Sequence, residues 1–274
     1  MRRLLAALVV GLLAAPASWA AEPCTTCAAA GGTYHAVAPP DWDGHTRLKL
    51  LMFLHGWRAS GADMVDDTAV TGPAARLGFL LIAPDGLQNT WAHGGSPSQA
   101  RDDVAFLRAV LADAEQRWPV DPRVVVAGGF SQGGSMVWDL ACYAADAFTA
   151  FLPISGGFWE KMPDSCTAGA VNLRHTHGRA DTTVPMAGRA LFGPYRQADI
   201  RRGFLVWEQE DKCRAAPNRH SREGDLDCDI WSSCGSGRSL ELCLHEGGHV
   251  LDGAWLESGL RWAMTLPAAE RPGR

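Results

Sequence analysis

Little in this chain invites nucleic acid. Its 25 basic residues are outnumbered by 30 acidic ones, for a net charge of −5 with histidine neutral, and no basic cluster stands out. That removes the electrostatic footprint a polyanion partner requires. Long apolar runs are also missing. The only extended one, at 4–15, falls short of the ~20 residues that cross a bilayer. There is no linker, internal repeat or low-complexity tract, which points to one domain. A single C-x-x-C pair is present, Cys24 and Cys27, so a four-cysteine zinc site lacks its second half.

The short N-terminal run is itself informative. Arg2 and Arg3 precede it and Ser18-Trp19-Ala20 follows, the pattern of a secretory signal cleaved after Ala20. This predicts a signal over 1–20 and a single domain over 21–274. The product is expected to be secreted or periplasmic, free of the membrane once cleaved, and monomeric. All eight cysteines lie beyond the signal, and an even count in an exported chain reads as disulfides. Cys24 and Cys27 sit at the mature N-terminus and not at the start of a helix, so a local clamp is expected there.

Apolar stretches of strand length occur at 48–54, 79–83, 123–127, 150–154, 170–176, 203–208 and 239–244. Helix-period segments at 102–118, 133–145, 187–200 and 254–264 fall between or after them. Such alternation predicts an α/β fold: a mostly parallel sheet with helices on both faces. The stretch 212–238 departs from this rhythm. It is polar, carries three cysteines and reads as an excursion stapled to the domain.

Gly129-Phe130-Ser131-Gln132-Gly133 follows the third apolar stretch and opens a helical segment. A strand turning sharply into a helix leaves the serine on a strained corner with its hydroxyl exposed, and the flanking glycines let backbone pack close. The helix N-terminus then presents free N–H groups to a developing oxyanion. Ser131 is therefore the candidate nucleophile and the N–H of Gln132 a candidate oxyanion donor. A second donor, the N–H of Trp57, is expected just past His55-Gly56, at the end of the first strong strand; His55 itself is expected to buttress that loop.

A serine nucleophile needs a base oriented by an acid. His249, in the Gly247-Gly248-His249 loop after the last strand, is the candidate base, and His245 reads as structural. Asp181, on the loop leaving the 170–176 stretch, is the candidate acid, with Asp199 and Asp211 as rivals. His245-Glu246-Gly247-Gly248-His249 also spells the zinc-protease motif H-E-x-x-H. That chemistry needs a helix, and two adjacent glycines cost roughly 1 kcal/mol each inside one. No metal and no cofactor is expected.

Several motifs recur together in one group of enzymes. Leu54-His55-Gly56, Pro84-Asp85-Gly86, Asp102-Asp103-Val104-x-Phe106-Leu107, Gly129-x-Ser131-x-Gly133-Gly134, Leu140-Ala141-Cys142, His177-Gly178-x-x-Asp181-x-x-Val184-Pro185 and Gly247-Gly248-His249 appear in the same order. Over roughly 48–249 the chain resembles the secreted esterases described as poly(3-hydroxybutyrate) depolymerases, and is similar also to feruloyl and acetylxylan esterases. The resemblance implies an α/β-hydrolase fold and the triad Ser131, Asp181 and His249. It also implies a Cys142–Cys166 disulfide. The hairpin symmetry about Gly235-Ser236 suggests Cys228–Cys243, which leaves Cys213 with Cys234 and Cys24 with Cys27. The family often has Trp-Pro after the histidine where this chain has Val250-Leu251, and no polymer-binding domain follows before Arg274; both weaken a solid polyester as substrate. Trp57, Trp91, Phe130, Phe158 and Trp159 lie on loops expected to border the site, with Trp91, Phe130 and Trp159 as candidate substrate contacts. The expected partner is a small or polymeric ester. The other reading is an exported binding protein on a silent hydrolase fold.

Overall fold

A computed structural model of the protein describes residues 21–267; the expected signal segment 1–20 lies outside them. An N-terminal hairpin of β1 (Thr26–Ala29) and β2 (Gly32–Val37) leads to β3 (Leu48–Leu54). Two short helices, α1 (Gly61–Asp66) and α2 (Thr68–Arg76), precede β4 (Phe79–Pro84). Then α3 (Asp103–Arg117) is followed by β5 (Val120–Phe130), which runs directly into α4 (Gln132–Tyr143). After β6 (Ala150–Ile154) and β7 (Leu173–Gly178) comes a minimal hairpin, β8 (Arg189–Ala190) and β9 (Arg196–Gln197), and then α5 (Ile200–Glu210). The described chain closes with β10 (Arg219–Glu223), β11 (Leu226–Trp231), β12 (Leu240–His245) and α6 (Gly253–Thr265).

Among the described residues ten strands share one sheet, in the order β1-β2-β4-β3-β5-β6-β7-β12-β11-β10. Neighbours from β4 through β12 are parallel. The outer pairs on both flanks are antiparallel. Successive side chains of a strand point to opposite faces, and the sequence fills both. Leu50, Met52 and Leu54 of β3 join the core under α3, α4 and α5. Leu51 and Phe53 of the same strand join the core under α1, α2 and α6. A sheet so covered needs strands that are largely apolar on both sides, which is why β4 reads as a continuous apolar run and β3 as one broken only by Lys49.

Two expected elements are corrected. The 203–208 stretch is no strand but the middle of α5. Ile200, Phe204 and Trp207 are buried together on one helical face, and Asp199 caps the start by accepting from the N–H of Arg202 at 2.9 Å. A short apolar run fits either period, and here the flanking spacing decides. Conversely, the helix expected over 187–200 is absent up to Ile200, where α5 begins. Gly188 and Gly193 adopt positive φ, 67° and 53°, and Pro194 lacks an N–H, so the segment folds back as β8–β9. The 212–238 stretch is stapled to the domain through Cys213–Cys234 and Cys228–Cys243, and much of it is regular strand. β10 and β11 extend the main sheet, with Cys228 directly opposite Cys243 on β12.

All four expected disulfides are present: Cys24–Cys27, Cys142–Cys166, Cys213–Cys234 and Cys228–Cys243. Cys142, near the end of α4, is tied to the segment that enters β7. Cys213–Cys234 joins the end of α5 to the loop after β11.

One core position carries charge chemistry. Asp139 on α4 is buried, and burial pushes its carboxyl from 3.8 up to about 7, although the N–H of Gly94 donates to it at 2.5 Å. The folded carboxyl therefore keeps its proton to a higher pH than the unfolded one. The resulting contribution to stability is complete below pH 3.8 and is lost as pH rises through about 7. Asp139→Asn removes this dependence while leaving an acceptor for Gly94. Denaturant titrations should find it matched to the parent at pH 4 and more stable at pH 8 by about 2–4 kcal/mol. A difference that stays flat with pH would contradict the assignment.

Candidate active site

The parallel strands all point their C-terminal ends to one edge, and β5, β7 and β12 each deliver one candidate residue there. Ser131 sits at the corner between β5 and α4 with φ 58° and ψ −120°, a conformation L-residues adopt only when the surroundings enforce it. Gly133 shows the enforcement. A Cβ at that position would stand 2.1 Å from the carbonyl oxygen of Leu54, at the end of β3. At Gly129 a Cβ would meet the Gly133 oxygen at 2.6 Å. The spacing of the motif is thus a packing requirement. Gln132 is the first residue of α4, so its N–H has no intrahelical acceptor.

The candidate acid and base are brought together by register. β7 and β12 pair in parallel with Gly178 opposite His245, so their exit loops run side by side. Arg179 donates its N–H to the His245 carbonyl at 2.8 Å, and Ala180 donates to that of Gly247 at 3.1 Å. Asp181, buried, accepts from the N–H groups of Thr183 and Val184, both at 2.8 Å, through Oδ1. Its Oδ2 accepts from His249 Nδ1 at 2.7 Å. That bond fixes the tautomer: Nε2 of His249 is left with its lone pair facing Ser131 Oγ at 2.9 Å. Burial alone would raise the Asp181 carboxyl, but the His249 hydrogen bond, the Val184 N–H and the neighbouring imidazoles outweigh it and hold the group below 3.8. Phe130 packs its ring on His249, with centroids 4.8 Å apart.

The loop after β3 is pinned by His55. Its Nε2 accepts from the N–H of Gly86 at 2.9 Å, so Nδ1 carries the proton and donates to the Gly56 carbonyl at 2.7 Å. Gly56 brings this loop against the serine, since a Cβ there would lie 3.4 Å from Ser131 Cβ. Trp57 follows, 62% exposed as a residue, with the Arg58 guanidinium stacked over its ring at 4.2 Å. Trp91 is corrected as a substrate contact. It is fully buried and its Nε1–H donates to the His55 carbonyl at 2.8 Å, so it braces the loop from behind. Phe158 is also buried, between Trp138 and Trp207.

A cleft of about 300 Å³ opens over Ser131. Trp57 and Trp159 line it, and the far wall comes from the β8–β9 hairpin, chiefly Leu191 and Phe192. Arg189 also faces it, with Nε held by Gln197 at 3.1 Å. The sequence reading missed these hairpin residues because it took 187–200 for a helix; the Gly193-Pro194 turn between apolar residues was the available signal. The zinc motif finds no helix. His245 ends β12 and stacks on Trp255, centroids 3.9 Å apart, and both ring nitrogens of His249 are engaged with Asp181 and Ser131.

No family model matches the chain. A probable feruloyl esterase C from Aspergillus niger is 31% identical over 82% of this chain and 77% of its own length. A second probable feruloyl esterase C, from Aspergillus terreus, is 26% identical over 80% of this chain and 76% of its own. Among solved structures, native sOPH superposes with a TM-score of 0.62 at 15% identity, covering 92% of this chain and 91% of that one. The acetyl xylan esterase from Aspergillus awamori gives 0.55 at 12% identity, over 81% and 90%. Identities that low speak for the fold, whereas the first relative speaks for the family. The chain belongs to the feruloyl esterase family and is a carboxylic-ester hydrolase with the α/β-hydrolase fold.

Proposed function

We propose that Ser131, His249 and Asp181 form the catalytic triad of an exported esterase acting through an acyl-enzyme. The observation that carries this reading is the unbroken chain Asp181–His249–Ser131, at 2.7 and 2.9 Å, at the floor of an open cleft. His249 Nε2 takes the Ser131 proton as Oγ bonds to the ester carbonyl carbon. The carbonyl oxygen becomes an oxyanion, held by the N–H groups of Trp57 and Gln132. Collapse expels the alcohol, which receives the proton from His249, and leaves Ser131 acylated. Water repeats the sequence and releases the acid. Asp181 keeps the imidazole in the required tautomer and balances its transient positive charge.

The substrate we propose is an ester of an aromatic or otherwise bulky acid. Trp57, Trp159, Leu191 and Phe192 give the cleft apolar walls, and its floor at Ser131 is polar, the usual make-up of a pocket that grips a hydrophobic group and orients its reactive end. Hydroxycinnamoyl esters of plant polysaccharide fit these walls and the names of the relatives. Export is supported by four disulfides and by the signal-like 1–20 segment. A monomer remains the expected state.

A fluorophosphonate should label the protein once, at Ser131, and Ser131→Ala should abolish labelling. Labelling that persists in that variant would remove Ser131 from the mechanism. Asp181→Asn should leave the fold intact and lower kcat by about 10⁴, as loss of the tautomer-fixing acid does in a serine triad. His249→Ala should be comparably inactive and His245→Ala far less affected; the reverse ranking would displace His249 as base.

The substrate class has its own test. Methyl ferulate, acetylated xylan and short hydroxybutyrate oligoesters, assayed side by side, should give the highest kcat/KM for the ferulate. Trp159→Ala and Phe192→Ala should each raise KM for that ester roughly tenfold, the value of one lost apolar side chain at ~1.4 kcal/mol. A preference for either other ester would overturn the aromatic assignment without touching the triad.

A further inference from the structure

β7 carries two histidines that stand outside the Asp181–His249–Ser131 chain. His175 and His177 are two residues apart on a strand, so they share a face, and both are fully buried. Trp138 on α4 donates its Nε1–H to His175 Nδ1 at 3.2 Å. His175 Nε2 lies 2.9 Å from His177 Nδ1, and His177 Nε2 lies 2.7 Å from the Val184 carbonyl oxygen. The direction of every proton in this chain is dictated by its ends. An indole N–H can only donate and a carbonyl can only accept. His175 must therefore hold its proton on Nε2 and donate to His177, which holds its own on Nε2 and donates to Val184. Each ring carries one proton, so both are neutral, and burial favours that form in both.

Val184 is where this chain meets the catalytic one. Its carbonyl is held by His177, while its N–H donates to Asp181 Oδ1 at 2.8 Å. The next residue is Pro185, which has no N–H to offer. His177 itself stands 3.6 Å from Asp181 Oδ2, beyond hydrogen-bond range, so its hydrogen-bonded link to the acid runs through Val184. The circuit also closes on itself. Trp138 lies two turns along the helix that begins next to Ser131, and Ser131 is joined through His249 to Asp181.

We propose that His177 is a positioning residue of the catalytic centre: by clamping the Val184 carbonyl it fixes the loop that aims Asp181 at His249, and His175 and Trp138 set the tautomer that lets it do so. This rests on the triad reading above. Without the His177 donor the Val184 carbonyl loses its partner, the loop can rotate, and the Asp181 carboxylate no longer meets the His249 Nδ1–H squarely. The cleft walls are untouched, so the loss falls on turnover and not on substrate binding.

Two amide substitutions separate this role from simple packing. His177→Gln reaches Val184 with an N–H at nearly the place of Nε2; His177→Asn is as polar but too short. The glutamine variant should keep kcat within about threefold of the parent. The asparagine variant should lose roughly 10- to 100-fold in kcat, the scale of an ångström-sized misplacement, with KM unchanged. In an Asp181→Asn background His177→Asn should cost nothing further, because its effect runs through the acid. Equal kcat in the Gln and Asn variants, or a full additional loss in the double variant, would overturn the proposal. A fully active Asp181→Asn single variant would instead overturn the triad reading itself.

Discussion

The contact between Gly133 and the Leu54 carbonyl is the constraint on which the site depends. With no side chain at Gly133, the first turn of α4 can lie against the end of β3, and only then does the chain turn at Ser131 with φ 58°. That turn points Oγ out of the sheet edge and leaves the N–H of Gln132 facing the same space. The loop after β3 is drawn to the identical point, because His55 ties it to Gly86 and Trp91 supports it from below. The candidate nucleophile and the two candidate oxyanion donors are therefore gathered by this close approach between a helix and a neighbouring strand together with the His55 clamp on the loop after β3. The strain at Ser131 persists because strands on both sides over-determine it.

The candidate base and acid depend on a different physical fact, the pairing of β7 with β12. Residues far apart in sequence become neighbours when parallel strands in register end at the same edge. Gly178 and the Gly247-Gly248 pair allow the two exit loops to touch: a Cβ at Gly178 would fall 2.4 Å from the Gly247 oxygen. Asp181 then sits below His249 with its second oxygen occupied by backbone N–H groups, which hold the carboxylate in a single orientation.

Much of this was legible in the residues. Continuous apolar runs identified β3, β4 and β6, because strands covered on both faces have no polar side to confuse the period. Ser131, Asp181 and His249 could be chosen because strand, glycine and loop occur in an order that only a few chemistries use. What failed was local and ambiguous. The Phe204-Leu205-Val206-Trp207 run satisfied a strand pattern, and only Ile200 upstream and the Asp199 cap show the helical period. Trp91 looked like a cleft residue because it lies on a loop, yet its indole N–H found a buried carbonyl, a partner no sequence pattern announces. The β10–β11 pair was hidden by its polar composition, as edge strands with one solvated face often are. The histidines of β7 were visible as an i, i+2 pair, but their meaning lies in Trp138 and Val184, which reach them only in the folded chain.

The far wall of the cleft is built from a hairpin whose strands are two residues each. Phe192 is exposed and Leu191 only half-buried, and neither belongs to the buried cores beneath the sheet. Exposed positions of this kind tolerate replacement with stability changes of about 0.5 kcal/mol or less, whereas the Ser131 corner tolerates almost none. The strained corner that holds the candidate nucleophile and the exposed hairpin that faces it are thus separate parts of the structure. New side chains on the hairpin would therefore reshape one wall of the cleft while the packing that bends the chain at Ser131 stayed as it is.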